Sequence, residues 1–257
     1  MSRGGSDITG ALFAAALDAD IYENWTDVPG ILMADPSIVD DPYPIPKITY
    51  DELRELTYMG AKVLHEASVY PVKVAGIPVN IKDTNNPSAA GTLIDSSFDD
   101  DLKDDKFYIT GIAGKKHYTI IDVKKDNLGL DEISSALELL SSKNIKVEQV
   151  SSGLDVFSLL IENGASKQSL YAVAAEIEKI TGGHVKMSEG ISLIACVSRR
   201  MVFRSGISGL IFGALGENNI NIRLISQGAR ELNILIGVAD EDYDRTIKVL
   251  YDGFTKR

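Results

Sequence analysis

Asn219-Ile220-Asn221-Ile222-Arg223-Leu224-Ile225-Ser226-Gln227-Gly228 decides the fold of the second half of the chain, because it occurs twice. Asn144-Ile145-Lys146-Val147-Glu148-Gln149-Val150-Ser151-Ser152-Gly153 aligns with it without a gap. The offset of 75 residues carries on through Ser158-Leu159-Leu160-Ile161 against Asn233-Ile234-Leu235-Ile236. Around each run the pattern predicts a strand (118–123; 191–197), a helix (131–140; 207–215), two strands, and a second helix (169–180; 242–254). The order is βαββα, with room for a closing strand near 184–187 in the first copy. Such units form an antiparallel sheet with helices on one face. Their strand–loop–helix junctions are places where a small amphiphile can bind at a helix N-terminus, although fold alone settles no function.

Upstream of the repeats, residues 1–95 read as part of an α/β domain. A helix over 8–19 leads to a short strand, Ile21-Tyr22-Glu23-Asn24-Trp25, ending at Thr26-Asp27. Val28-Pro29-Gly30 is a turn signal. Asp35-Pro36 and then Pro42, Pro44 and Pro46 mark a long irregular loop. A helix over 50–64 follows, with Thr49 as its cap. Ile77-Pro78-Val79-Asn80-Ile81 is a strand, and 85–92 a loop. The acidic stretch 99–105 reads as a linker, so the expected domains are 1–98, 106–188 and 189–257.

Composition narrows the function classes. Of 257 residues, 44% are hydrophobic and 25% charged, as in a globular protein with a real core. The net charge of −11 and the absence of a Lys/Arg block argue against nucleic acid or an anionic membrane as partner. Cys196 is the lone cysteine, so no intrachain disulfide forms and a reducing compartment fits. His65, His117 and His184 are scattered, and no metal motif is visible. The apolar run 8–17 after Arg3 mimics a signal peptide, but it leads straight into Asp18-Ala19-Asp20 and is too short to span a bilayer. A cytoplasmic protein is expected.

The chemistry concentrates at Arg3-Gly4-Gly5-Ser6-Asp7. A Gly-Gly pair lets backbone pass close to a ligand, and its neighbours supply a forked cation, a hydroxyl and a carboxylate. With Trp25-Thr26-Asp27-Val28-Pro29-Gly30-Ile31, Asp35-Pro36 and Gly60-Ala61-Lys62-Val63-Leu64-His65, this cluster resembles aspartate kinase in order and spacing. The paired repeats resemble that family's two ACT domains. Phe203-Arg204-Ser205-Gly206-Ile207 and the 219–229 run are very like its last domain. The resemblance covers nearly the whole chain. It implies the C-terminal part of an α/β, carbamate-kinase-like amino-acid kinase domain followed by two α+β ferredoxin-like ACT domains (βαββαβ).

The resemblance also implies roles. The family phosphorylates the side-chain carboxylate of L-aspartate with ATP and Mg2+, mostly by positioning and by neutralising phosphate charge. Arg3 would hold the substrate α-carboxylate, with Ser6 and Asp7 nearby. Thr26 and Asp27 would line the nucleotide pocket, and Lys62 and Val63 would complete it. Trp25 is expected to be a buried aromatic beneath the pocket. Asp35 is open between a turn residue and a phosphate- or metal-facing acid. The ACT resemblance implies pairing across chains, at least as a homodimer, and binding of lysine and/or threonine. Effector candidates in the first copy are Asp126, Asp131, Glu132 and Ile133, facing Lys146, Val147 and Glu148. For Asp131 and Glu132 an ordinary first-turn helix role is equally open.

Several positions depart from the family pattern. Ser37 stands where the family usually has Arg after Asp-Pro, and a serine supplies no charge to a phosphate. Leu32 replaces a frequent aromatic, Glu66 a proline, and Arg230 a small residue. Gly153-Leu154 aligns with a Ser-Glu pair that contacts lysine in some members. The family's N-terminal Lys-Phe-Gly-Gly-Thr segment is not in the sequence, so phosphoryl transfer by this chain is expected to need the missing half, and 1–95 to be its least stable part. Two readings follow: an aspartate kinase polypeptide regulated by an end-product amino acid, or a non-catalytic ACT amino-acid sensor that binds a partner chain.

Overall fold

The computed structural model describes residues 5–61, 66–98, 108–163 and 167–256. It divides into two compact units, one made of residues 1–115 with 193–257 and the other of 116–192. The acidic stretch 99–105 lies outside the described residues.

The first part of unit one contains α1 (Gly5–Ala16), β1 (Tyr22–Thr26), β2 (Lys47–Thr49), α2 (Tyr50–Tyr58), α3 (Glu66–Ala75), β3 (Val79–Asp83) and β4 (Thr92–Asp95). Its sheet runs β1-β3-β4-β2. The β1–β3 and β4–β2 pairs are parallel and β3–β4 is antiparallel. Ile48, Val79, Ile81 and Ile94 are buried on it. β1 ends the order as an edge strand, and its residues are only half-buried or exposed in alternation. Trp25 therefore does not lie beneath a pocket as expected. It shares the outward face with Glu23, is 45% exposed, donates through Nε1 to Glu23 Oε2 and carries the Lys82 ammonium over its ring. α1 begins and ends three residues earlier than the pattern predicts, and only Ala11 and Ala14 of it are buried. Leu12, Phe13 and Leu17 are exposed.

α2 is shorter than expected for a stated reason. Thr49 caps it in a full capping box with Glu52. At the other end Gly60 adopts φ +98°, Gly60 N donates to Thr57 O and Ala61 N to Leu56 O. That is a Schellman closure, and it stops the helix at Tyr58. The sequence reading passed over α3, which carries Pro71 inside it, and over the short strands β2 and β4.

Beyond residue 108 the chain forms β5 (Gly111–Lys124), α4 (Leu130–Ser142), β6 (Val147–Ser152), β7 (Val156–Glu162), α5 (Lys167–Thr181) and β8 (His184–Val197). Unit two uses β6-β7-β5-β8 as its sheet, with antiparallel β5–β7 and β6–β7 pairs. Ile121, Val123, Phe157, Leu159 and Ile161 pack against Ala136 and Leu140 of α4 and Leu170, Val173 and Ile177 of α5. α6 (Ile207–Glu217), β9 (Leu224–Ser226), β10 (Asn233–Ala239) and α7 (Tyr243–Thr255) complete unit one. The sheet here reads β5-β8-β10-β9. Thr110 N donates to Val197 O just before β5 begins. The strand that flanks β8 in the last copy thus comes from upstream of the first copy. The closing strand of the first copy and the opening strand of the last are one 14-residue strand, β8.

Candidate functional site

Two of the motif stretches meet at one cavity of about 300 Å³. The loop after β1 contributes Val28, Gly30, Leu32, Asp35, Pro36 and Ser37, and the end of α2 contributes Leu56, Gly60 and Ala61. Ile112, Gly114 and Tyr243 form the facing wall, all within unit one. The loop is held from below: Ile31 N donates to Thr92 Oγ1, which donates onward to Ile45 O. Gly30 sits at φ +108°, and a Cβ there would meet Thr92 Oγ1 at 2.5 Å, so this turn requires glycine.

Asp35 takes the turn role. Its Oδ1 accepts from Ser37 N at 2.8 Å and Ser37 Oγ at 2.6 Å. Tyr243 donates to Gly114 O at 2.7 Å, and burial, with Asp35 and Asp244 nearby, pushes its phenol up to about 12. The tyrosine therefore stays neutral in the cavity wall.

Thr26 lies at the C-terminal end of β1, where an α/β sheet presents ligands. Its carbonyl accepts from Thr84 N and Oγ1, and its hydroxyl donates to Asp27 Oδ1. The two residues immediately precede the cavity loop. Ser6 and Asp7 occupy the first turn of α1, with Ser6 Oγ donating to Asp7 Oδ1. The Tyr22 hydroxyl donates to Asp7 O and accepts from Asn24 Nδ2, which ties that turn to β1. Arg3, Lys62 and Val63 lie outside the described residues.

The effector candidates of the first copy fall within unit two. Asp126 is exposed in the turn after β5, and Asp131 is exposed in the first turn of α4. Ile133 and Val147 pack against the core. Glu132 Oε2 accepts from Gly129 N at 2.9 Å, and Oε1 takes the Lys125 ammonium. Gly129 has no side chain to return a bond, so only the glutamate half of a capping box forms. The Lys125 hydrogen bond and the helix-start N–H groups hold the Glu132 carboxyl below its ordinary value. Glu148 stands at the β6 bulge with its side chain only 2% exposed, 3.0 Å from the Lys146 ammonium, an ion pair without hydrogen-bond alignment. Of the carboxylates expected to hold a ligand amine, Glu132 and Glu148 are met by lysines of the chain itself, and Asp126 and Asp131 are exposed.

The last copy differs. A cavity of about 500 Å³ opens between Met201, Arg204, Gly206 and Ile207 on one side and Gln227, Gly228 and Glu231 on the other. Sequence reasoning quoted both stretches for their resemblance and gave them no role. It also missed Glu52, whose side chain is 0% exposed. Its carboxylate accepts from Thr49 N and Oγ1, from Thr110 Oγ1, and from Arg199 N and Nη1. Burial alone would raise this carboxyl, but the Arg199 guanidinium, the Thr110 hydroxyl and the backbone N–H groups hold it below the usual range. Thr49 with Glu52 three residues on was a readable capping signal, whereas Arg199, 147 residues away, was not. Cys196 is buried, which pushes its thiol up to about 12 and makes it a packing residue.

The amino acid kinase family matches residues 1–83, and the ACT domain matches 194–254. Aspartokinase 3 of Bacillus subtilis is 35% identical over 98% of this chain and 56% of its own length. The crystal structure of Clostridium acetobutylicum aspartate kinase is 44% identical with a TM-score of 0.90, covering 99% of this chain and 59% of that one. Over nearly its whole length the chain is similar to part of an aspartokinase. E. coli aspartokinase III, 28% identical, matches over 98% of this chain and 56% of its own. Its TM-score is 0.77 in a complex with aspartate and ADP (R-state) and 0.75 in one with lysine and aspartate (T-state). The chain spans about half the length of the curated relatives it matches. Its fold is accordingly that of a partial amino-acid kinase domain joined to ACT modules. No helix among the described residues is long and apolar enough to cross a membrane.

Proposed function

We propose that this chain carries the nucleotide-side part of an aspartokinase, together with its amino-acid-responsive ACT pair. The observation that carries the reading is the single cavity walled by Val28, Gly30, Asp35 and Ser37 from one motif and Gly60 and Ala61 from another. The family reaction moves the γ-phosphoryl group of ATP to a side-chain oxygen of L-aspartate, giving 4-phospho-L-aspartate and ADP, the first step towards lysine, threonine and methionine. Arg3 holds the α-carboxylate of aspartate, with Ser6 and Asp7 beside it. Thr26, Asp27, Lys62 and Val63 bind ATP, and Mg2+ arrives with ATP as part of the substrate. Complexes of the E. coli relative with aspartate and ADP support this assignment.

In the same proposal, lysine and/or threonine act through the ACT copies, and the chain works in the cytoplasm as a homodimer or larger assembly. The first-copy candidates are Asp126, Asp131, Glu132, Ile133, Lys146, Val147 and Glu148. Glu132 and Glu148 already face lysines of the chain, which favours threonine over lysine at those two carboxylates, and the open cavity of the last copy offers a second place for it. As units of descent the domains keep the bounds 1–98, 106–188 and 189–257.

Isothermal titration of the chain with MgATP, lysine and threonine in separate runs tests the reading. MgATP binding is expected. Heat from an amino acid with none from MgATP overturns it in favour of a non-catalytic sensor that binds a partner chain. Ser37, which leaves that position of the cavity without a cation, is the observation on the side of the sensor.

A further inference from the structure

α2 runs between two of the cavities of unit one, the one lined by the motif stretches and the one in the last copy. It is nine residues long, so its ends lie about 13 Å apart at 1.5 Å per residue. A capping box closes one end and a Schellman turn the other, so neither end frays. Its C-terminal end, Leu56 with Gly60 and Ala61, lines the cavity of the nucleotide motifs. Its N-terminal half holds the last ACT copy at three points.

At each point the partner residue does not itself line the 500 Å³ cavity but stands one or two positions along the chain from a residue that does. Glu52 accepts from Arg199, which stands in the turn that leads from β8 into Met201. Asp51 Oδ2 accepts from Arg230 Nη2 at 2.5 Å, in the loop that supplies Gln227, Gly228 and Glu231. Glu55 Oε2 accepts from Asn233 Nδ2 at 2.5 Å, one residue before the lining Ile234. Asp51 and Glu55 are four residues apart and lie one above the other on the helix.

The three ties differ in give. The Glu52–Arg199 pair is buried, with Arg199 only 12% exposed, and its carboxylate is fully satisfied. Among the described residues Arg199 Nε and Nη2 have no hydrogen-bond partner, and the guanidinium is held there by this one carboxylate and the Phe98 ring 5.2 Å away. The Asp51–Arg230 pair is exposed on both sides and can part readily. A helix pinned at Glu52 and adjustable at Asp51 pivots about its buried contact. Arg230 takes the place of a small residue in the family pattern, so this adjustable tie belongs to the present chain.

We infer that α2 is a coupling rod: a change in the walls of the last-copy cavity is passed through Asp51, Glu52 and Glu55 to the Gly60-Ala61 turn of the nucleotide-side cavity. The inference deepens the regulatory half of the proposed function and rests on it for its biological meaning. The mechanical claim stands apart from any ligand, and its test uses none.

Hydrogen exchange of the whole chain, read by mass spectrometry, compares the wild type with Arg230→Gln and Arg199→Lys. In Arg230→Gln, with an unchanged melting temperature, exchange over 56–61 is expected to rise about threefold along with 227–233, the fold-change of one exposed ion pair. Residues 79–83 should not change. Arg199→Lys keeps the charge and loses the fork, and should raise exchange over 56–61 together with 198–204. A rise confined to 227–233 in the first variant, or to 198–204 in the second, overturns the coupling. Failure of MgATP to bind would sink the kinase reading and leave this result readable.

Discussion

The two ACT copies share a fold and differ at the place where the fold offers a site. In the first copy the start of α4 is closed by its own side chains. Glu132 folds back on Gly129 N and takes Lys125, and Lys146 meets Glu148 two residues further along the chain at the start of β6. In the last copy, α6 follows Gly206 with no side-chain cap, and the corresponding junction opens onto a 500 Å³ cavity. One copy has turned its polar groups inward on each other. The other leaves its junction open and ties its loops to α2 through Arg199, Arg230 and Asn233. Repetition of the backbone therefore says little about repetition of the site, which is written in a few side chains per copy.

Substitutions can break or sharpen this contrast. The largest effect is expected from Phe157→Ala, which removes a fully buried ring from the first copy's core. It should cost about 4 kcal/mol in urea unfolding of unit two. If protection in 200–257 fell equally, the copies would be one cooperative body and the contrast between them would lose its energetic basis.

Glu52→Gln comes next, at about 3 kcal/mol, because it leaves the Arg199 guanidinium buried beside a neutral amide. The pH dependence has a definite sign. The folded carboxyl lies below its ordinary value of 4.5. Its contribution is therefore complete above that pH and is lost as pH falls through the folded value. Stability curves of wild type and variant should converge in acid, and a constant gap down to the lowest pH would rule out the charged pair as its source.

Thr49→Ala removes one half of the capping box and should cost about 1 kcal/mol, read as earlier thermal unfolding of unit one. A loss indistinguishable from zero would mean that Glu52 holds the helix start alone. The smallest effect is on binding: Lys125→Met with Lys146→Met frees Glu132 and Glu148, and lysine should then bind more tightly by titration than to the wild type. Unchanged affinity would show that the closed junction is not what keeps lysine out.

Much of this was legible in the chain itself. The 75-residue offset located both copies, and nearly every helix in them starts within a residue or two of its predicted place. Thr49 announced the start of α2. Its end was hidden, because Gly60-Ala61 reads as helix interior until the positive φ of Gly60 is known. β2 and β4, three and four residues long, had too few positions to show a period. Trp25 reads as core by residue type, and only its place on an edge strand exposes it. Site residues near one another in sequence, such as Thr26-Asp27 and Val28–Ser37, could be grouped at once. The partners of Glu52 could not, since Thr110 and Arg199 lie 58 and 147 residues downstream.

The path of the chain through β5 and β8 also sets an order of events. Residues 116–192 are contiguous, so unit two can finish folding while the remainder is still being made on the ribosome. Unit one cannot. Its opening segment must wait, with its own sheet exposed, until the last 65 residues emerge to supply Arg199, β10 and α7. Contacts that span such separations form slowly. Newly made chains thus pass through a half-built stage in which the 28–37 loop and the Gly60-Ala61 turn are present and the Tyr243 side of their cavity is not.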